Sequence, residues 1–158
     1  MPDAPGGKWP LAGERLELEL GDKKPAFDRA EARAEALRCL YCHDAPCITA
    51  CPTAIDIPTF IRKISTDNLR GSARAILEAN LLGASCARVC PVEVLCEGAC
   101  VYTGWGRKPI EIGRLQRHAM EEARSPELLP QLEKRSESIG LVGAGPASLA
   151  CAGTLSRL

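Results

Sequence analysis

Aromatic side chains make up only 4% of this 158-residue chain, and much of its 46% hydrophobic content is alanine and cysteine. A large core of bulky apolar side chains is therefore not expected, and something else must supply cohesion. A surplus of charge is also lacking: twenty basic and twenty acidic residues cancel, which leaves no net field to gather nucleic acid or anionic lipid. No apolar run reaches the length of a membrane span, and the opening MPDAPGGKWPLAGERLELEL has no apolar signal-peptide segment. The expectation is a cytoplasmic protein with no nucleic-acid and no membrane partner. In a reducing compartment, clustered thiols read as metal ligands before they read as disulfides.

Cysteine is what the chain has, nine in all. CLYCHDAPCITAC, from Cys39 to Cys51, carries four of them and closes on Pro52; CARVCPVEVLCEGAC, from Cys86 to Cys100, carries four more with a second Cys-Pro at Cys90 and Pro91. Two such halves suggest a duplicated ferredoxin-like pattern joined by helices.

Around these runs the sequence predicts helices. Asp28 with Glu31 has the form of a capping box ahead of an Ala-rich helix over 29–38, whose Ala30, Ala34 and Leu37 are available to pack. Asp56 is placed to cap a second helix with the stripe Ile57, Phe60, Ile61 and Ile64. A break is expected over 67–71, then a third helix over 73–79 with Ile76 and Leu77 inward, ended by Gly83. Gly104, Gly106 and Pro109 read as a loop. The helix over 110–123 places Ile112, Leu115, Gln116 and Ala119 on one face, so an amide is buried and needs a partner. Residues 1–26 read as an extended arm, with Leu16 to Leu20 alternating like a strand, 27–123 as the helical metal domain, and 124–137 as a linker.

A [4Fe–4S] cluster takes four ligands, and in the bacterial ferredoxin run the cysteine before proline serves the other cluster. Three closely spaced thiols wrap one cube while the residue beside a rigid proline points away. On that logic Cys39, Cys42 and Cys47 hold one cluster, completed by Cys100, while Cys51 reaches to a second with Cys90 and Cys96. One position stays open between Cys86 and Gln116. Thiolate chemistry favours Cys86, which serves equally as a small buried hydrophobe. Two structural Cys₄ zinc sites are the competing reading; the irregular spacing after Cys42 and the absence of a matching second CxxC argue against it.

The tail IGLVGAGPASLACA reads as a strand over 138–142, a glycine turn and a helix over 149–158. Gly143, Ala144, Gly145, Pro146, Ala147 and Ser148 would approach a pyrophosphate at the helix N-terminus. Ser148 stands where a third glycine is usual. The acidic residue that holds a ribose comes about 20 residues later, past Leu158, so residues 138–158 are expected to be the incomplete start of an FAD/NAD(P)-binding domain. Cys151 reads as a packing residue.

Taken together, CLYC, DAPC, ACP, IDIP, GASCARVCP, LCEGAC, IGRLQR and VGAGPAS resemble the N-terminal iron–sulfur domain of the NAD(P)H-dependent dihydropyrimidine dehydrogenase family, and are also similar to the glutamate synthase small subunit. The LCEGAC spacing tips the resemblance toward the pyrimidine enzymes. It implies a mainly α fold: an alpha-helical ferredoxin-like domain with two [4Fe–4S] clusters, then the first β-strand and helix of a truncated Rossmann-type FAD domain. It also implies that Gln116 is the open ligand, giving Cys39, Cys42, Cys47 and Cys100 for one cluster and Cys51, Cys90, Cys96 and Gln116 for the other. The implied function is to pass electrons from NAD(P)H and FAD through the clusters to a partner subunit or domain that contains FMN and reduces uracil or thymine, with no catalytic residue in this chain. A glutamate synthase-like or transhydrogenase-like complex and a non-catalytic metal-binding interaction module are the alternatives. His43 reads as an exposed loop histidine or a hydrogen-bond partner of a cluster, His118 as lying just off the buried helical face, Tyr41 as a cluster shield or a packing residue, and Arg88, Arg114 and Arg117 as solvated helix charges or offsets to cluster charge.

Overall fold

The computed structural model describes Asp22, residues 24–123, Leu128 and residues 136–157. Residues 1–21, with the alternating Leu16 to Leu20, lie outside it, as does most of the stretch read as a linker. The described residues form helices α1 (Arg29–Leu37), α2 (Pro46–Thr49), α3 (Ile57–Ser65), α4 (Leu69–Ala79), α5 (Gly83–Val89), α6 (Val101–Gly104), α7 (Ile112–Glu122) and α8 (Pro146–Leu155), with a 3₁₀ turn over Val92–Val94.

Local chemistry sets the starts. At α1 the Asp28 side chain accepts from the Glu31 N–H while the Glu31 side chain accepts from the Asp28 N–H, the reciprocal cap expected. Asp56 accepts from the Thr59 N–H, and Pro58 falls in the first turn of α3, where a missing N–H costs nothing. The stripe Ile57, Phe60, Ile61 and Ile64 is buried as its spacing requires.

These helices pack as α3 on α4, α1 on α3 and α5 on α7, with α7 also touching α4. Phe60, Ile61, Ile76 and Leu115 are fully buried, each worth about 1.5–3 kcal/mol of transfer free energy. Ser72 donates to the Phe60 carbonyl at 2.9 Å, tying α4 to α3 where two backbones meet closely. Apart from Phe27 and Phe60, the apolar core is aliphatic side chains, alanine, Met120 and Cys96.

Several expectations are corrected. α4 starts at Leu69 inside the expected break, because Asn68 caps it by accepting from the Gly71 N–H at 2.9 Å. Gly83 opens α5 instead of closing α4: a Cβ there would lie 2.5 Å from Ile76 Cγ2, so glycine permits the approach of the two helices. α1 buries Ala32, Glu35 and Ala36, leaving Ala30, Ala34 and Leu37 exposed. That face wins because Glu35 Oε1 accepts from the Glu111 N–H at 2.9 Å and both its oxygens take hydrogen bonds from Arg38. His118, expected just off the buried face of its helix, is 1% exposed, with Nδ1–H donating to the Phe27 carbonyl at 2.9 Å.

No strand occurs among the described residues, and 138–142 has no regular structure. A lone strand leaves a full row of donors and acceptors unpaired, and these residues have no neighbouring strand to pair with. α8 starts at Pro146, earlier than expected, and rests on the helical domain: Gly153 abuts Leu81, and Arg157 Nη2 donates to the Leu77 carbonyl at 3.0 Å.

Candidate metal centre

Three short elements carry the first group of thiols. Cys39 follows the end of α1, Cys47 lies in the one-turn helix α2, and Cys100 is the N-cap of α6. Tyr41 turns the chain between Cys39 and Cys42 in the left-handed region, at φ 51°, and its N–H faces the Cys39 thiol. The Tyr41 hydroxyl donates to the Ala36 carbonyl at 3.2 Å, which holds that turn against α1. Cys39, Cys42, Cys47 and Cys100 line one pocket, whose remaining wall is apolar and includes Leu40, Ile57, Ile61, Tyr102 and Ile112. Burial raises the Cys39 thiol pKa, and Cys42 and Cys100 raise it further by opposing its anion. Burial, with Cys39 and Cys100, pushes Cys47 up to about 11.

A second group is built from the other cysteines and α7. Cys90 ends α5, Cys96 follows the 3₁₀ turn, and Gln116 projects from the buried face of α7. Burial is the main cause that lifts Cys96 to about 12, with Glu97, Cys90 and Cys51 adding repulsion. Cys86 is lifted to about 11 by burial and by Cys90 and Cys51, and its thiol lies within hydrogen-bonding reach of Gln116. Gln116 is 6% exposed, and its Nε2 donates to the Gly83 carbonyl at 2.8 Å. Thr53 Oγ1 lies 3.5 Å from Cys51 Sγ.

The donor set fits iron–sulfur chemistry. Among the described residues no three His, Cys, Asp or Glu side chains converge on one point as a single ion requires. A four-iron cube instead offers a separate iron to each ligand, so thiols ringing an apolar pocket suit it. Buried protonated thiols release their protons when they bind metal.

Other candidates play lesser parts. His43 and Cys151 are exposed. Arg88 and Arg117 pair with Glu121, and Arg114 pairs with Glu111 at 3.3 Å, so these cations are matched to carboxylates. Tyr41 packs under Arg62, whose guanidinium lies 4.8 Å from the ring centroid. Gly143, Ala144, Gly145, Pro146 and Ala147 are exposed; Gly143 has φ 108°, open only to glycine, and Ser148 Oγ donates to the Val142 carbonyl at 3.4 Å. Pro146 opens α8. These features suit a phosphate-approaching turn, with nothing else among the described residues to complete a nucleotide site. Sequence reasoning missed Gly83, whose only signal is its place one residue short of a helical turn before Cys86, and Lys24, which donates to the Cys90 carbonyl and has no sequence signal.

Residues 18–128 match the family described as dihydropyrimidine dehydrogenase domain II, 4Fe-4S cluster. The chain is 45% identical over 140 residues to the NAD-dependent dihydropyrimidine dehydrogenase subunit PreT of Escherichia coli strain K12, covering 87% of this chain and 34% of that one. It is 44% identical over 141 residues to the PreT homolog of Salmonella typhi, with 88% and 34% covered. The chain thus spans about a third of the length of these relatives. No described helix is long and apolar enough to cross a membrane. With most of its residues matched, the chain belongs to the dihydropyrimidine dehydrogenase domain II, 4Fe-4S cluster family.

Proposed function

We propose that residues 27–123 are a double-cluster electron-transfer module, in which Cys39, Cys42, Cys47 and Cys100 hold one [4Fe–4S] cluster and Cys51, Cys90, Cys96 and Gln116 hold the other. One observation carries this reading. The thiols fall into two groups, and each group draws members from both cysteine runs, as the crossed ferredoxin pattern requires. The clusters, when bound, supply one-electron steps between two-electron flavin chemistries.

The residues' own work is to hold, insulate and orient. Leu40, Ile61 and Ile112 wall the first pocket with apolar surface, lowering the local dielectric. Backbone N–H groups of Tyr41, Ile48 and Glu97 face thiols and favour their anionic form. Gln116 presents a neutral oxygen where a thiolate would carry charge, which on that term alone raises the potential of its site.

Residues 138–158 are proposed as the start of an FAD/NAD(P)-binding unit, and 124–137 as the link to it. In this reading NAD(P)H reduces the FAD, and a partner with FMN reduces uracil or thymine; the chain alone catalyses nothing. The match to subunits named as NAD-dependent dihydropyrimidine dehydrogenase supports this assignment over a glutamate synthase-like or transhydrogenase-like complex. The proximity of Cys86 to Cys90 and Cys51 favours a second reading for one position, with Cys86 replacing Gln116 as ligand.

Anaerobic reconstitution tests the reading. About eight irons and eight sulfides per chain are expected, with a broad visible absorption bleached by dithionite. Colourless protein carrying stoichiometric zinc would sink it. Identifying the flavoprotein that co-purifies decides between the pyrimidine and the glutamate synthase assignments.

A further inference from the structure

Asp22 and residues 24–28 form a strap across α7. The Asp22 carboxylate accepts from the Lys24 N–H at 3.0 Å and from Arg117. Arg117 Nη1 also donates to the Lys24 carbonyl at 2.6 Å. One turn away, Arg114 Nε donates to the Pro25 carbonyl at 2.9 Å, and its guanidinium lies 3.7 Å from the centre of the Phe27 ring. His118 holds the Phe27 carbonyl. Three residues of α7 therefore fix the strap, and α7 is the helix that carries Gln116.

This anchoring decides where the Lys24 side chain goes. It is 15% exposed, and Nζ donates to the main-chain carbonyl of Cys90. Its carboxylate neighbour Glu93 lies 4.0 Å away with a side chain that is 58% exposed. Water screens that carboxylate more than it screens the lysine, so Glu93 offsets only part of the positive charge that faces Cys90. The charge of Lys24 also reaches the half-buried Glu97 beside Cys96. Arg88, Arg114 and Arg117, by contrast, are each paired with a carboxylate on α7 or at its N-cap.

Resting on the ligand assignment above, we propose that Lys24 is a positioning residue for the second site, which it serves by holding the Cys90 carbonyl and by setting the reduction potential of a cluster bound to Cys51, Cys90, Cys96 and Gln116. Reduction by dithionite places one electron on the bound group, breaks no bond and makes the site one charge more negative. An ammonium a few atoms from Cys90 stabilises that form more than the oxidised one, so it raises the potential. The first site, on the Cys39, Cys42, Cys47 and Cys100 pocket, has no such contact with Lys24.

The test is an anaerobic redox titration of the reconstituted chain, followed by EPR, with Gln116→Leu marking which signal belongs to the second site. Lys24→Met is expected to lower the midpoint of that signal and leave the other in place. Lys24→Arg, which keeps the charge, is expected to stay near the parent. An unmoved second midpoint in Lys24→Met overturns the inference, as does an equal shift of both signals or an Arg variant that moves as far as Met. A parent with one signal, or a Gln116→Leu variant identical to the parent, overturns the ligand assignment first and this inference with it.

Discussion

The side-chain amide of Gln116 donates through Nε2 to the main-chain carbonyl of Gly83 at 2.8 Å, and both residues are buried. A carbonyl only accepts, so the amide has one sensible orientation, with its nitrogen toward Gly83. That leaves Oε1, the atom with lone pairs for iron, turned elsewhere. Gln116→Leu removes the oxygen while keeping bulk. It is expected to disturb the second cluster's EPR signal and lower iron content, with the first cluster mostly assembled. If EPR and iron match the parent, Cys86 is the ligand.

Cys100→Ala and Cys51→Ala separate the two groups. Cys100 lines the pocket with Cys39, Cys42 and Cys47, whereas Cys51 acts electrostatically on Cys86 and Cys96. Each substitution is expected to damage a different cluster, with EPR of Cys100→Ala keeping the signal that Gln116→Leu disturbs. Loss of the same signal in both variants would contradict the crossed arrangement.

Glu35 joins α1 to the start of α7 through the Glu111 N–H and takes both hydrogen bonds from Arg38 Nη1, at 2.7 and 2.8 Å. Arg38 Nη2 in turn donates to the Lys108 carbonyl at 2.7 Å. Glu35→Ala strands a partly buried N–H and frees the guanidinium, which costs about 1–3 kcal/mol. Glu35→Gln keeps an acceptor and should cost less. Denaturant midpoints at unchanged slope measure both, and equal effects would mean that the N–H is satisfied without Glu35.

Iron removal probes how far the helices stand alone. Among the described residues, the apolar core shared by α3, α4 and α7 contains one buried cysteine, Cys96, whereas α2 and α6 are single turns that carry Cys47 or begin at Cys100. Isolated turns of that length do not hold themselves together. Chelation is expected to reduce protection from hydrogen exchange mainly at 39–52 and 86–104, sparing 57–79. Uniform loss would show that the core depends on the metal throughout.

The helix starts at Asp28 and Asp56, the stripe of α3 and the inward Gln116 were legible because each rests on spacing within one or two turns. The proposed grouping of the cysteines rests on the proline that follows Cys51 and Cys90 and on the division of the thiols between two runs. What was hidden depends on partners far along the chain. Gly83 reads as a helix stop until Ile76 is seen against it. His118 reads as lying just off the buried face until the Phe27 carbonyl covers it, and α1 shows its buried face only when Glu35 meets Glu111. Lys24 is silent for the same reason, since its partner Cys90 lies 66 positions away.

Cys39 and Cys100 meet on one pocket although 61 positions separate them, and Cys51 and Cys90, inside that span, both act on the charge of Cys96. Anything bonded to both outer thiols closes a loop of that size, and a chain-entropy estimate gives such a closure about 4 kcal/mol of advantage over the open unfolded chain. The inner closure is nested within the outer, so once the outer is made, the inner ends have less space to search. In polymer terms two such closures would act as concentric staples, with α3 and α4 inside both.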